Sequence, residues 1–517
     1  MLVNFFKKCL SLILIAVSII GITSCSGKNN ETSTDTGMTS DGPVPLLTEI
    51  KNGRISTSDF YSNPHSVSHI GDPFILADGD YYYMYATTTG KEFKCWKSKD
   101  CSSWYSVGRV YSISETSFGE KNYWAPEVYK YEGKYYIFYS AGRTMNNGKL
   151  RYSIGCAVAD SPEGPFTDII PNNPIYAPDY SVIDANVLFD KSGRIYLYYS
   201  RDCSENIVGG KHVSQSYGIE LSKDFKSTIG DPVLLTTPDT KWELATGSWI
   251  WNEGQCVFER NGIYYLMYSA GTYKNNSYSV GYATSDSPLG TYKKYEDNPI
   301  LKGDGKTTCG TGHNNYFFSK DGKEMFTVYH SRTEMEAGKG TRQLCIDRIS
   351  FDQQGNLRIS GPSAYSSFAL PSGNDLYDII DESEYTITSE VQTTYGSSEL
   401  IKNGYIEQNP NKKYTDYWSI KPENKYIDIT FDSPKDIKYM LLYWLSKSED
   451  DPWTMSIVIN DKYIIKDISV ELNDSSKIIS FSNLNKNEKI QNLKLYFRST
   501  DDSNIISLKE IVLLENK

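Results

Sequence analysis

Five times along the chain a turn glycine opens an aromatic-rich strand, and this recurrence limits the possible folds more than any other feature. The phrases are DGDYYYMYAT at Gly79, YEGKYYIFYSA at Gly133, KSGRIYLYYSR at Gly193, RNGIYYLMYSA at Gly262 and KDGKEMFTVYHSR at Gly322, spaced by 54, 60, 69 and 60 residues. A period near 60 residues built from short strands and turn residues suits one four-stranded blade per repeat. Solenoids of so long a period would be helical, and these segments are not. The repeats therefore predict a five-bladed β-propeller over residues 59–375.

The repeat also aligns positions. Nine residues before the turn glycine stand Trp124, Asp184, Glu253 and His313 in repeats two to five, and seven before it in the first stands Asp72. The innermost strand of every propeller blade starts at the central channel, so these side chains are expected to converge from distant points of the sequence. Asp, Trp, Asp, Glu and His at one channel mouth would offer the carboxylates that acid/base chemistry on a sugar needs.

The 517 residues can fill two or three cores. A net charge of −11 argues against nucleic acid as a partner, because phosphate binding needs a basic face. Most of the 42 tyrosines sit in the repeat strands, where pleated packing favours them. Lys7 and Lys8 precede an apolar run over residues 10–22, too short to span a membrane, followed by Ile22-Thr23-Ser24-Cys25. This pattern resembles a bacterial lipoprotein signal. It implies loss of residues 1–24, acylation of Cys25, a flexible tether over 25–58 and a lipid-anchored place in the cell envelope, with no other membrane contact. Cys95, Cys101, Cys156, Cys203, Cys256, Cys309 and Cys345 are scattered without a C-x-x-C pair and read as buried free thiols.

A second motif recurs as DSPEGPFTDIIPNNPI at 160–175 and DSPLGTYKKYEDNPI at 286–300, turn chemistry suited to a blade's outer hairpin. After residue 373 the character changes. Residues 385–517 hold their own alternating strands, among them KYIDITF, IKYMLLYWL and SLKEIVLLE, and read as a β-sandwich of the jelly-roll type. The order of Asn403-Gly404-Tyr405, Tyr417-Trp418 and the closing strands resembles discoidin-like domains, many of which bind carbohydrate, with Trp418 and Trp453 either stacking surface or part of the sandwich core.

HIGDPFIL around Asp72, NYWAPEV at 122–128, SVIDANVLFD around Asp184, NEGQCVFERNGIYYLMYSA around Glu253, GTGHNNYFF around His313 and RQLCIDRISFD at 342–352 together resemble glycoside hydrolase family 43. The resemblance covers about 310 residues in order and register. Gln255 and Ala185 depart from the family pattern, each beside a carboxylate rather than at one. The resemblance implies an inverting mechanism with Asp72 as general base and Glu253 as general acid. Inversion needs a base and an acid roughly 6.5–9.5 Å apart, so that water fits between them. A third carboxylate near Glu253 would raise its pKa by like-charge repulsion, and Asp184 fits that role. In relatives the histidine equivalent to His313 lies on the channel axis, near substrate or bound through water to a cation, so a structural Ca2+ in the channel is allowed for and no cofactor is required. Arg342 resembles the arginine that reaches the innermost sugar. Trp124 either stacks on a sugar or packs between blades.

These features imply an exo-acting glycosidase on plant polysaccharide or oligosaccharide, of α-L-arabinofuranosidase or β-xylosidase type. An endo-arabinanase or a galactan- or galactofuranoside-active enzyme is the alternative within the family. A retaining invertase-like enzyme would carry Asn before the first aspartate, where Gly71 stands. A glycan-binding lipoprotein without catalysis is the alternative of another class.

Overall fold

The computed structural model describes residues 59–332, 340–364, 366–406, 416–421, 426–445, 453–470, 475–484, 488–499 and 505–517. The expected signal, Cys25 and the tether lie outside them.

Each aromatic repeat is the first hairpin of a separate antiparallel sheet whose strands follow in chain order. Blade I comprises Gly71–Asp78, Tyr81–Thr87, Glu92–Ser98 and Tyr105–Ser112. Blade II comprises Lys121–Tyr131, Lys134–Thr144, Leu150–Ala159 and Thr167–Asp168, and blade III Val182–Phe189, Ile195–Arg201, Gln215–Leu221 and Thr228–Thr236. Asn252–Arg260, Ile263–Ala270, Ser279–Ser285 and Lys293–Lys294 form blade IV, with Leu301–Lys302 also on its third strand. Blade V is Cys309–Phe318, Met325–Arg332, Gln343–Phe351 and Leu357–Ile359. The first strand of each blade contacts the first strands of both neighbours, and that of blade V returns to blade I, so the ring closes. The fold is the expected five-bladed propeller. The sequence's tyrosines fill the gaps between blades: Tyr82, Tyr85, Tyr139, Tyr198, Tyr199, Tyr268, Tyr282 and Tyr329 are all fully buried. The seven described cysteines are free and buried, as expected.

Residues 377–516 form a six-stranded and a five-stranded sheet around a shared apolar core that includes Ile429, Leu442, Ile457 and Leu495. Trp418 lies inside this core, 2% exposed, and its Nε1 donates to the Thr393 hydroxyl at 3.1 Å. Trp453 packs on the same core edge-on to Trp444. Neither is the open stacking surface that the sequence allowed, because both indoles are used in packing.

The sandwich is not held at arm's length. Phe60–Ser62 pairs with Ser367–Ala369, and this small ribbon lies between the two regions. Tyr439, Leu441, Tyr443 and Leu514 of the sandwich share one buried cluster with Phe60, Tyr61, Phe368 and Tyr377, and with Ile75, Tyr82, Phe317 and Phe326 of blades I and V. The Tyr439 hydroxyl donates to the Asp59 carboxylate at 2.6 Å, and that of Tyr443 to the Ser367 carbonyl at 2.8 Å. Burial of this kind braces the seam between blades I and V.

Candidate active site

The first strand of every blade begins with a bulge. Pairing to the second strand slips between Gly71 and Phe74, Trp124 and Glu127, Ile183 and Asn186, Glu253 and Cys256, and Gly312 and Asn315. The extra residue in each takes the left-handed conformation: Asp72 (φ 53°), Ala125 (46°), Asp184 (59°), Gly254 (62°) and His313 (51°). Such a bulge bends the strand and re-aims its side chain. The equivalence counted from the turn glycines is thereby corrected. Asp72, Asp184 and His313 are true equivalents of Ala125 and Gly254, whereas Trp124 and Glu253 stand one residue earlier, because the bulges are alike but the hairpins between bulge and turn glycine differ in length.

Left-handed residues other than glycine are strained, so something must hold them. The backbone N–H of each is taken by a neighbouring side chain. Ala125 donates to Thr87 Oγ1 (2.8 Å), Asp184 to Ser140 Oγ (2.8 Å), His313 to Ser269 Oγ (2.7 Å) and Asp72 to His330 Nδ1 (3.2 Å). Gly254 is the exception, donating to Asp184 Oδ2 at 3.1 Å. That bond fixes the Asp184 carboxylate beside the start of Glu253's strand. Sequence reasoning missed these acceptors although their signal is visible: Thr87, Ser140, Ser269 and His330 lie seven or eight residues after their turn glycines.

Asp72 sits among cations and imidazoles. Arg342 Nη1 donates to its Oδ1 at 3.1 Å, and His313 Nδ1 lies 3.3 Å from the same atom. Burial would raise the Asp72 carboxyl, but His313, Arg342, His330 and Thr87 outweigh it and hold the group well below the usual carboxylate range. Both histidines are themselves driven toward the neutral form by burial. Arg342, a permanent cation, is therefore the partner that keeps Asp72 charged at neutral pH. Its guanidinium lies 4.6 Å from the Tyr273 ring centroid and directly over Gly71, where a Cβ would stand 2.1 Å from it. Glycine at position 71 makes room for the arginine.

Glu253 and Asp184 behave oppositely. Burial, opposed by a hydrogen bond from the Tyr278 hydroxyl (2.9 Å) and reinforced by the charges of Asp72 and Asp202, lifts Glu253 to about 8. Asp184 is raised well above its ordinary value by burial and by the charges of Glu253 and Asp72. With Asp72 ionised, this buried pair retains a proton at neutral pH. The site thus sets an ionised carboxylate beside buried carboxyls that hold a proton, the two states that acid/base chemistry requires.

Trp124 stacks on Tyr152 with centroids 4.9 Å apart, so one indole face is used for packing. No group of three or more His, Cys, Asp or Glu side chains that could hold a metal ion occurs among the described residues. Deeper in the ring, Glu127 accepts from Asn186 Nδ2 (2.9 Å), Asn315 Nδ2 (2.6 Å) and Tyr129, tying blades II, III and V under the site.

Comparison with known proteins points the same way. Residues 61–357 match the family described as Glycosyl hydrolases family 43. A β-D-galactofuranosidase of Aspergillus niger is 29% identical over 314 residues, 57% of this chain and 83% of its own length. An extracellular exo-α-(1→5)-L-arabinofuranosidase of Streptomyces chartreusis is 25% identical, with 53% and 84% of the two chains covered. A solved thermostable family-43 glycoside hydrolase is 40% identical, superposes with a TM-score of 0.57, and is covered entirely by 60% of this chain. A match over more than half the chain, on a closed ring of five blades whose channel gathers these carboxyls, shows that the protein belongs to glycosyl hydrolases family 43 and is an inverting glycosidase.

Proposed function

We propose that Asp72, Glu253 and Asp184 carry out the hydrolysis. Asp72 takes a proton from a water molecule as that water attacks the anomeric carbon. Glu253 gives its proton to the glycosidic oxygen as the bond to the leaving sugar breaks, and the product emerges with inverted configuration. Asp184 shares a proton with Glu253, so that the buried pair stays protonated at neutral pH, and, through its bond to the Gly254 N–H, fixes where Glu253's strand begins. Arg342 and His313 hold Asp72 and face the innermost sugar, and Trp124 offers its free face to it. One observation carries this reading: Asp72 is ionised against Arg342 while Glu253, buried nearby, titrates only at about 8.

The substrate we infer is a terminal sugar on plant polysaccharide or oligosaccharide, an α-L-arabinofuranosyl or β-D-xylosyl unit, with a galactofuranosyl unit as the second reading because the Aspergillus niger relative bears that name. We further infer that the protein is anchored at the cell envelope through lipidated Cys25, and that residues 385–517 are a discoidin-like domain able to touch glycan. The test is hydrolysis of 4-nitrophenyl α-L-arabinofuranoside, β-D-xyloside and β-D-galactofuranoside, with the first-formed anomer read by proton NMR. One of them is expected to be cleaved with inversion. A retained anomer, or no cleavage of any, would refute the assignment.

A further inference from the structure

Walking back from Glu253 along its own chain, exposure alternates. Trp249 is 42% exposed, Ile250 and Asn252 are buried, and Trp251 and Glu253 are half-buried. In an extended chain every second side chain shares a face, about 7 Å apart per step, so Trp249, Trp251 and Glu253 line one side. The two indoles are 6.4 Å apart between centroids and inclined by 26°. Neither belongs to any of the buried apolar clusters among the described residues.

Trp249 is nevertheless braced. Trp249–Ile250 pairs in parallel with Lys211–Val213, and the His212 imidazole stacks on the indole at 3.8 Å and 3°. His212 Nδ1 lies 3.0 Å from the Cys203 carbonyl, and the His212 N–H donates to the Ser248 carbonyl at 2.8 Å. Cys203 is buried and close enough to Glu253 for the carboxylate's charge to act on its thiol. One face of the indole is thus covered by a fixed imidazole, while the residue stays 42% exposed four positions before the carboxyl proposed to protonate the leaving oxygen. This rim belongs to blades III and IV. Asp72 is held on the other side of the channel, by Arg342 and His330 of the blade V seam.

We propose that Trp249 and Trp251, backed by His212, form a saccharide-binding strip on the leaving-group side of the scissile bond. It takes the aglycone portion of an oligosaccharide or polysaccharide, whose apolar sugar faces match flat, exposed indoles. The inference rests on Glu253 being the acid, and it deepens the functional reading: the natural substrate carries sugars, not a small alcohol, beyond the bond that is cut.

The test compares the wild type with Trp249→Ala on α-1,5-arabinotetraose or β-1,4-xylotetraose and on the matching 4-nitrophenyl glycoside, whose single ring reaches only the first leaving-group position. The ratio of kcat/KM on tetrasaccharide to that on the aryl glycoside should fall about ten-fold in Trp249→Ala, mainly through KM, and recover in Trp249→Phe. A ratio unchanged in both Trp249→Ala and the Trp249→Ala/Trp251→Ala pair would overturn the strip. Calorimetric binding of the tetrasaccharides to Glu253→Gln, with and without Trp249→Ala, separates the two readings. Trp249-dependent binding by a wild type that hydrolyses nothing would sink the hydrolytic assignment and leave the strip standing, and binding indifferent to Trp249 would do the reverse.

Discussion

Gly71→Ala is the smallest change that tests how Asp72 is kept ionised. Position 71 has no left-handed backbone, so alanine is not strained there. Its Cβ would lie 2.1 Å from the Arg342 guanidinium carbon, far inside contact distance, and the atom met is the end of a flexible side chain. The arginine is therefore expected to move while the fold stays intact. Unit charges 3.1 Å apart, the Arg342–Asp72 separation, interact by roughly 5 kcal/mol at an effective dielectric of about 20. Part of this is lost to water, since the arginine side chain is 22% exposed. An adjacent guanidinium commonly lowers a carboxyl by about 1–3 pH units. Losing it raises the Asp72 pKa, and because the base works only when ionised, the acid limb of the kcat/KM profile should move to higher pH by about that much. Arg342→Gln should reproduce the movement. The assay is the pH dependence of kcat/KM on an aryl glycoside, with circular dichroism to confirm folding. A Gly71→Ala enzyme that is folded and keeps the wild-type acid limb would refute the account of Arg342 as the partner that holds Asp72 charged.

Glu253→Gln should abolish turnover of natural glycosides while sparing aryl substrates with acidic leaving groups, and equal loss on both would remove Glu253 from the acid role. Asp184→Asn removes the carboxyl that shares a proton with Glu253, so the buried pair's last proton should leave more easily and the alkaline limb should move to lower pH; an unmoved limb with normal rate would eliminate the electrostatic role. His330→Ala removes the acceptor for the Asp72 N–H, with an expected loss of about 10- to 100-fold in kcat at little cost in KM, and His330→Ser, which restores the hydroxyl used by the other blades, should regain part of it. Deleting residues after 373 strips the cover from Phe60, Tyr61 and Phe368, so the truncated chain should aggregate or melt at lower temperature, and a soluble, fully active propeller would show that the sandwich is dispensable.

The propeller was legible because its blades repeat: a turn glycine and a period-two aromatic strand recur five times, and each recurrence adds independent weight. Asp72, Asp184, Glu253 and His313 could be grouped from the sequence for a related reason, since each stands at or near the start of a repeated first strand, whereas Arg342 entered only through the family resemblance. Trp418 and Trp453 stayed open between stacking surface and core because an indole's place in a sandwich depends on which face of the strand is covered, and that is set by packing partners far away in sequence. The seam between sandwich and propeller was hidden in the same way. Tyr439, Leu441 and Tyr443 read as ordinary strand residues until Phe60 and Phe368 are brought against them.

Register is the subtler failure, and it has a mechanistic consequence. Counting from turn glycines treats the hairpins as equal, but they differ in length, so a shared one-residue bulge falls at different distances from the glycine. Five bulges at five strand starts place three proposed site residues, Asp72, Asp184 and His313, in a conformation that an unsupported chain avoids. In three of the five blades the cost is met by a hydrogen bond from the strained N–H to a hydroxyl of the preceding blade's second strand, where Thr87, Ser140 and Ser269 serve. The blade I aspartate receives an imidazole instead. Because His330 Nδ1 accepts from the Asp72 N–H, its proton must sit on Nε2, and the ring stays neutral in its buried site, stacked on Tyr278. Tyr278 in turn donates to Glu253. A single contact chain thus runs from the backbone of the proposed base through His330 and Tyr278 to the carboxyl of the proposed acid, so the strain that aims Asp72 and the bond that orients Glu253 are set by neighbouring parts of one packed unit.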